Sequence, residues 1–72
     1  KPQAALVTLT RREQEIIRLV ALGLSNKDIA SLLVLSDRTV QTHLTRLFQK
    51  LGVENRAAAV YQAVRRGVIS VL

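Results

Sequence analysis

The sequence predicts an all-α domain of four short helices, and three observations carry that prediction. Apolar residues recur at three- and four-residue steps, the period of a helix that buries one face. A residue able to cap a helix start precedes each such segment, at Thr10, Ser25, Ser36 and Asn55, and Gly23, Gly52 and Gly67 stand where three of them should stop. Hydrophobic residues make up 49% of the 72, yet Phe48 and Tyr61 are the only aromatics. The core is therefore drawn from Leu, Val, Ile and Ala, which suits packed helices.

Lys1 to Val7 holds the only proline and shows no clear period. Residues 1–8 are read as the end of a linker and 9–72 as the domain. The chain opens on Lys1 rather than Met, so a preceding module of a longer protein is expected. Thr10-x-x-Glu13 is a capping box, in which each side chain satisfies a free backbone N–H at the helix start. The first helix is expected over about 11–22, with Ile16, Ile17, Val20 and Ala21 inward and Gly23 as its stop. Ser25 and Asp28 repeat the start signal. A short second helix follows over about 26–33, with Ile29, Leu32 and Leu33 inward and Ala30 small enough to admit a neighbouring helix. A few residues later Ser36 caps the third helix, with Asp37 in its first turn, where the helix dipole favours an acid. Two helices joined by so tight a turn have helix-turn-helix spacing.

The third helix, 37–51, is the segment the rest is organised to present. Val40, Leu44, Leu47 and Leu51 stack into one apolar stripe. At about 100° per residue, Arg38, Thr42, Thr45, Arg46 and Gln49 fall opposite it, with Gln41 and Lys50 at the margins. That face carries cations, amides and hydroxyls and no acid, a combination that suits the major groove of DNA. An ordinary solvated face is the plain alternative. Gly52 ends the helix, and Asn55 caps a fourth whose apolar residues cover more than one side. Val60, Tyr61 and Val64, with Val68 beyond them, are therefore expected at a contact with a second copy. The alternative is that the tail Val68, Ile69, Val71 and Leu72 folds over that side, or that the rest of the parent protein covers it.

Bulk composition narrows the function classes. Lys and Arg outnumber Asp and Glu by 11 to 5, giving a net charge of +6, which points to a polyanionic partner. No cysteine is present, so disulfides and Cys-based zinc sites are excluded. No apolar run approaches the roughly 20 residues that span a bilayer, and the opening segment is too short and polar for a secretory signal. His43, the single histidine, has no companion ligands and is assigned a packing role. No nucleophile–base pair, facing carboxylates or glycine-rich phosphate loop supports catalysis. Glu13 is expected to ion-pair with Arg56 or another basic residue, and Arg65 and Arg66 to compensate the dipole at the end of the fourth helix.

The motifs Leu9-Thr10-x-Arg12-Glu13, Gly23-x-Ser25-Asn26-Lys27-x-Ile29-Ala30, Ser36-x-x-Thr39-Val40-x-x-His43, Lys50-Leu51-Gly52-Val53 and Asn55-Arg56 occur in order between Leu9 and Val60. Together the chain resembles the LuxR-type (GerE- or NarL-type) helix-turn-helix domain of bacterial transcription regulators. The resemblance implies a four-helix domain whose third helix enters the major groove and whose fourth mediates dimerisation. It further implies that the domain lies behind a sensory or receiver module in a cytoplasmic, nucleoid-associated regulator. Double-stranded DNA is the implied partner, as a homodimer, with RNA polymerase as a candidate contact. No cofactor, small-molecule ligand or membrane contact is expected. Base-contacting positions fall on Gln41, Thr42 and Thr45. Phosphate-contacting positions fall on Lys27, Ser36, Thr39, Arg46, Lys50 and Arg56. Family members commonly carry Lys where this chain has Gln41. Glutamine is uncharged and pairs best with adenine, so a different base preference is expected at this position.

Two other functions compete. A sigma-factor-like promoter-recognition module would use the same groove geometry, but the Gly-Leu-Ser-Asn-Lys run argues against it. A protein–protein or membrane-surface module would concentrate Trp or Phe beside its cations, and the chain has no Trp.

Overall fold

Each helix begins where a side chain satisfies backbone N–H groups that have no partner within the helix. In the computed structural model, which describes residues 8–70, Thr10, Ser25, Ser36 and Asn55 accept from the backbone N–H three residues on. Thr10 and Glu13 form the full reciprocal box, at 3.1 and 2.9 Å. The resulting elements are α1 (Arg11–Ala21), α2 (Asn26–Leu33), α3 (Asp37–Leu51) and α4 (Arg56–Arg65). The linker expected at residues 1–7, and Val71 and Leu72 of the tail, lie outside the described residues.

The core is one aliphatic cluster to which every helix contributes. Ile16, Ile17 and Val20 of α1, Ile29 and Ala30 of α2, and Ala59 and Ala63 of α4 surround the α3 stripe. Val40, Leu44, Leu47 and Leu51 are all buried, with Val40 and Leu47 fully enclosed. The small side chains of α4 let its backbone approach the other helices closely, so that Phe48, Val60 and Val64 flank the core half-buried.

Two residues expected inside are exposed. Ile16, Ile17 and Val20 span an arc of about 100°, and Ala21 falls some 40° beyond it. Ile29, Ala30 and Leu33 span a similar arc on α2, and Leu32, about 60° outside it, is 61% exposed. At the other end of the chain, Val68 N–H reaches Ala63 O at 2.8 Å and Ile69 is buried in the core. This part of the tail folds back on its own domain.

The turn between α2 and α3 holds a feature the periodicity did not reveal. Val34 adopts the left-handed conformation, φ 56°, and Leu35 N–H closes onto Ala30 O at 2.8 Å. That closure is the helix-ending arrangement in which glycine is usual, as Gly52 is after α3 at φ 70°. A β-branched residue is strained there. Val34 is also 90% exposed, so no packing offsets the strain.

Two stability predictions follow from these positions. Val34→Gly should raise stability by roughly 0.5–1 kcal/mol, since the left-handed cost of about 1–2 kcal/mol exceeds the added backbone entropy. Leu44→Ala should cost about 2–5 kcal/mol, a large part of the margin of a domain this small. Urea denaturation of both variants checks them; an unchanged midpoint for Leu44→Ala would remove the stripe from the core.

Candidate nucleic-acid interface

The polar side of α3 faces away from the core. Gln41, Thr42, Thr45, Arg38, Arg46 and Gln49 are all exposed and line one shallow concavity along the helix. Arg38 and Arg46 are its cations, and no carboxylate lines it. Lys27 is exposed near the N-terminus of α2. Thr42 and Thr45 each donate their hydroxyl proton to the carbonyl four residues back, Arg38 O and Gln41 O, at 3.0 Å. What they display outward is therefore a methyl group and acceptor lone pairs.

At the head of α3, Ser36 Oγ accepts from Thr39 N–H at 3.0 Å and donates to Thr39 Oγ1 at 2.9 Å. That bond does not consume the proton of the Thr39 hydroxyl. The same end carries the free N–H groups and positive dipole of the helix start, which suit a phosphate.

Two of the expected phosphate contacts also hold the fold together. Lys50 Nζ lies 2.7 Å from Glu13 Oε1 and donates to Thr8 O at 3.3 Å. The ion pair of Glu13 is thus with Lys50 and not with Arg56. It joins the start of α1 to the last turn of α3 through a carboxylate that is 3% exposed. Arg56 points elsewhere, donating to Leu24 O at 3.1 Å and to Asn26 Oδ1 at 2.6 Å. It ties the start of α4 to the α1–α2 connection. Sequence reasoning missed Asn26, whose Nδ2 also donates to Gln41 Oε1 at 3.1 Å. Its only signal was its place in the Ser25-Asn26-Lys27 run. His43 is half-buried beside the stripe.

Of the residues expected at a dimer contact, Tyr61 is 59% exposed, on the side of α4 away from Ala59. Val60 and Val64 are partly covered by the core of their own domain.

Two successive capped helices joined by a tight turn, the second presenting a cationic and hydrogen-bonding face to solvent, define a helix-turn-helix DNA-binding domain. Residues 7–63 match the family described as bacterial regulatory proteins, luxR family, and the chain belongs to that family. It is accordingly a DNA-binding domain of a transcription regulator and not an enzyme. A putative HTH-type transcriptional regulator of Mycobacterium tuberculosis is 51% identical over 67 residues, 93% of this chain and 8% of that protein. The uncharacterized transcriptional regulatory protein YxjL of Bacillus subtilis is 43% identical over 60 residues, 83% of this chain and 28% of its own length. The chain thus spans less than a third of either relative. Among solved structures, the transcription factor GerE superposes with a TM-score of 0.81 at 42% identity, covering 86% of this chain and 92% of that one. The response regulator ChrA of a heme-sensing two-component system gives 0.85 at 44%, covering 86% of this chain and 31% of that one.

The Glu13–Lys50 pair has a consequence for acid stability. Burial alone pushes the Glu13 carboxyl up. The hydrogen bonds from Lys50 and Thr10 and the Lys50 charge outweigh it and hold the carboxyl below its ordinary value. A depressed folded pKa stabilises the fold above the unfolded carboxylate value, and that stability is lost as pH falls through the folded one. Glu13→Gln should therefore cost about 1–3 kcal/mol at neutral pH, as loss of a buried charged hydrogen bond does. It should also flatten the fall in stability below about pH 5. Denaturant melts of both proteins across that range measure it, and parallel acid limbs would refute the assignment.

Proposed function

We propose that the chain reads double-stranded DNA sequence-specifically with α3 in the major groove. The observation that carries this reading is the outward face of α3, where Arg38 and Arg46 flank Gln41, Thr42 and Thr45 with no acid among them. Gln41, Thr42 and Thr45 contact base edges. Lys27, Ser36, Thr39 and Arg46 contact phosphates and set register. Lys50 and Arg56 play a smaller electrostatic part, because Glu13 already neutralises the first and the second is committed to Leu24 O and Asn26.

On this reading the bound form is a homodimer joined through α4. Tyr61 is its anchor and Val60 and Val64 its flanks, since these are the large apolar side chains of α4 not enclosed by the core. Half-sites then lie about one helical turn apart or less. The domain is the effector end of a cytoplasmic, nucleoid-associated regulator whose sensory or receiver module precedes it. Contact with RNA polymerase belongs to that longer protein.

Selection from a random duplex pool, followed by anisotropy titrations, tests the assignment. Substitutions at Gln41, Thr42 or Thr45 should change which base is preferred. Lys27→Ala should weaken binding to every sequence and reduce the slope of log affinity against log salt by about one. Lys50→Ala should change that slope less and lower the melting temperature more. Equal affinity for random and selected duplexes would exclude sequence-specific reading.

A further inference from the structure

We propose that Asn26, a residue of α2, is a positioning residue that fixes which way the Gln41 amide faces and thereby sets the base Gln41 reads. The inference rests on the placement of Gln41 in the groove. Its physical basis is a chain of hydrogen bonds whose polarity is fixed at one end. A guanidinium has donors and no acceptor. Arg56 Nη2 donates to Asn26 Oδ1 at 2.6 Å, so the oxygen of the Asn26 amide is held toward α4. Asn26 can then offer Gln41 only its NH2 group, and Nδ2 does donate to Gln41 Oε1 at 3.1 Å. With its oxygen held there, Gln41 turns Nε2 toward Thr45 Oγ1, at 3.3 Å. Thr45 accepts because its own proton is given to Gln41 O at 3.0 Å. Rotating the Gln41 amide by 180° would set NH2 against NH2 at Asn26 and oxygen against a lone pair at Thr45. All four groups therefore agree on one orientation.

That orientation leaves Gln41 one N–H on Nε2 and one lone pair on Oε1 for a ligand. Adenine presents an acceptor at N7 and a donor at N6 on its major-groove edge, which matches both. Guanine presents acceptors at N7 and O6, so Oε1 would meet an acceptor. The neighbouring threonines add a bias only through their methyl groups. Their hydroxyl protons are consumed by backbone carbonyls, so they offer acceptors, which either adenine N6 or cytosine N4 satisfies, and methyl groups, which suit the thymine methyl. The chain prefers an A·T pair opposite Gln41, and Asn26 enforces the preference without touching the base.

Binding-site selection followed by anisotropy on single-position variants of the selected duplex tests this, with Gln41→Ala, Asn26→Ala and Asn26→Asp beside the unmodified chain. Asn26→Asp still accepts from Arg56, which keeps the α2–α4 connection, but it demands NH2 from Gln41 and reverses the amide. Its added charge lowers affinity for all duplexes alike and leaves ratios between them unaffected. Gln41→Ala should abolish the A·T preference at one position. Both Asn26 variants should reduce it about tenfold there, the discrimination one good bidentate base contact supplies, and preserve preferences elsewhere. A full A·T preference in both Asn26 variants, where Gln41→Ala loses it, would show that Asn26 positions nothing while Gln41 still reads. No change of preference in Gln41→Ala would remove Gln41 from the bases and the inference with it. A DNA-free readout stands apart from the groove: the side-chain amide resonances of Gln41 should shift in Asn26→Asp while those of Gln49 stay. An unmoved Gln41 signal would overturn the relay.

Discussion

Burial of the Val40–Leu44–Leu47–Leu51 stripe is the constraint on which the rest of this small domain depends. With so few residues, each apolar contact is a large part of a narrow stability margin. The four side chains lie within about 60° of one another around α3. Seating them against α1, α2 and α4 fixes the rotation of α3 about its axis. Once that rotation is set, the placement of Arg38, Thr42, Thr45, Arg46 and Gln49 follows with no further interaction. The polar outer face of α3 is thus a consequence of core packing on its opposite side.

The cations near the outer face of α3 and at the ends of α2, α3 and α4 divide into two groups. Lys50 and Arg56 are partly consumed by the fold, each linking elements far apart in sequence, Glu13 and Thr8 to the end of α3 in one case and the α1–α2 connection to α4 in the other. Arg38, Arg46 and Lys27 remain on the surface. A net charge of +6 therefore overstates the charge available to a polyanion at any one place. What matters is that exposed cations flank hydrogen-bonding side chains on one helix.

Much of this was legible in the sequence, because the signals were local. Capping side chains and a period of three to four residues mark all four helices, glycine stops mark three of them, and the same period separates the inner and outer faces of α3. Ala21 and Leu32 fall outside the core because an inward place follows from hydrophobicity alone only within the arc that packs, about 100° wide on α1 and α2. The choice of Lys50 over Arg56 as the partner of Glu13 could not be read, since it depends on how α1 meets the end of α3. The relay from Arg56 through Asn26 to Gln41 and Thr45 was hidden for the same reason: it joins residues on three helices. The left-handed Val34 was missed because a valine there runs against its own propensity, and only the fold supplies the reason for the turn.

The claim that core packing turns one side of α3 toward DNA is tested most directly by following backbone amide resonances of the chain as a selected duplex is added. Burial of the stripe predicts the largest shifts at Arg38, Gln41, Thr42, Thr45, Arg46 and Gln49, with the start of α2 and the Ser36–Thr39 turn next, and on α4 only around Tyr61, where two copies would meet. Shifts centred on α4 or on the exposed Leu22 and Leu32, with the outer face of α3 unmoved, would contradict it.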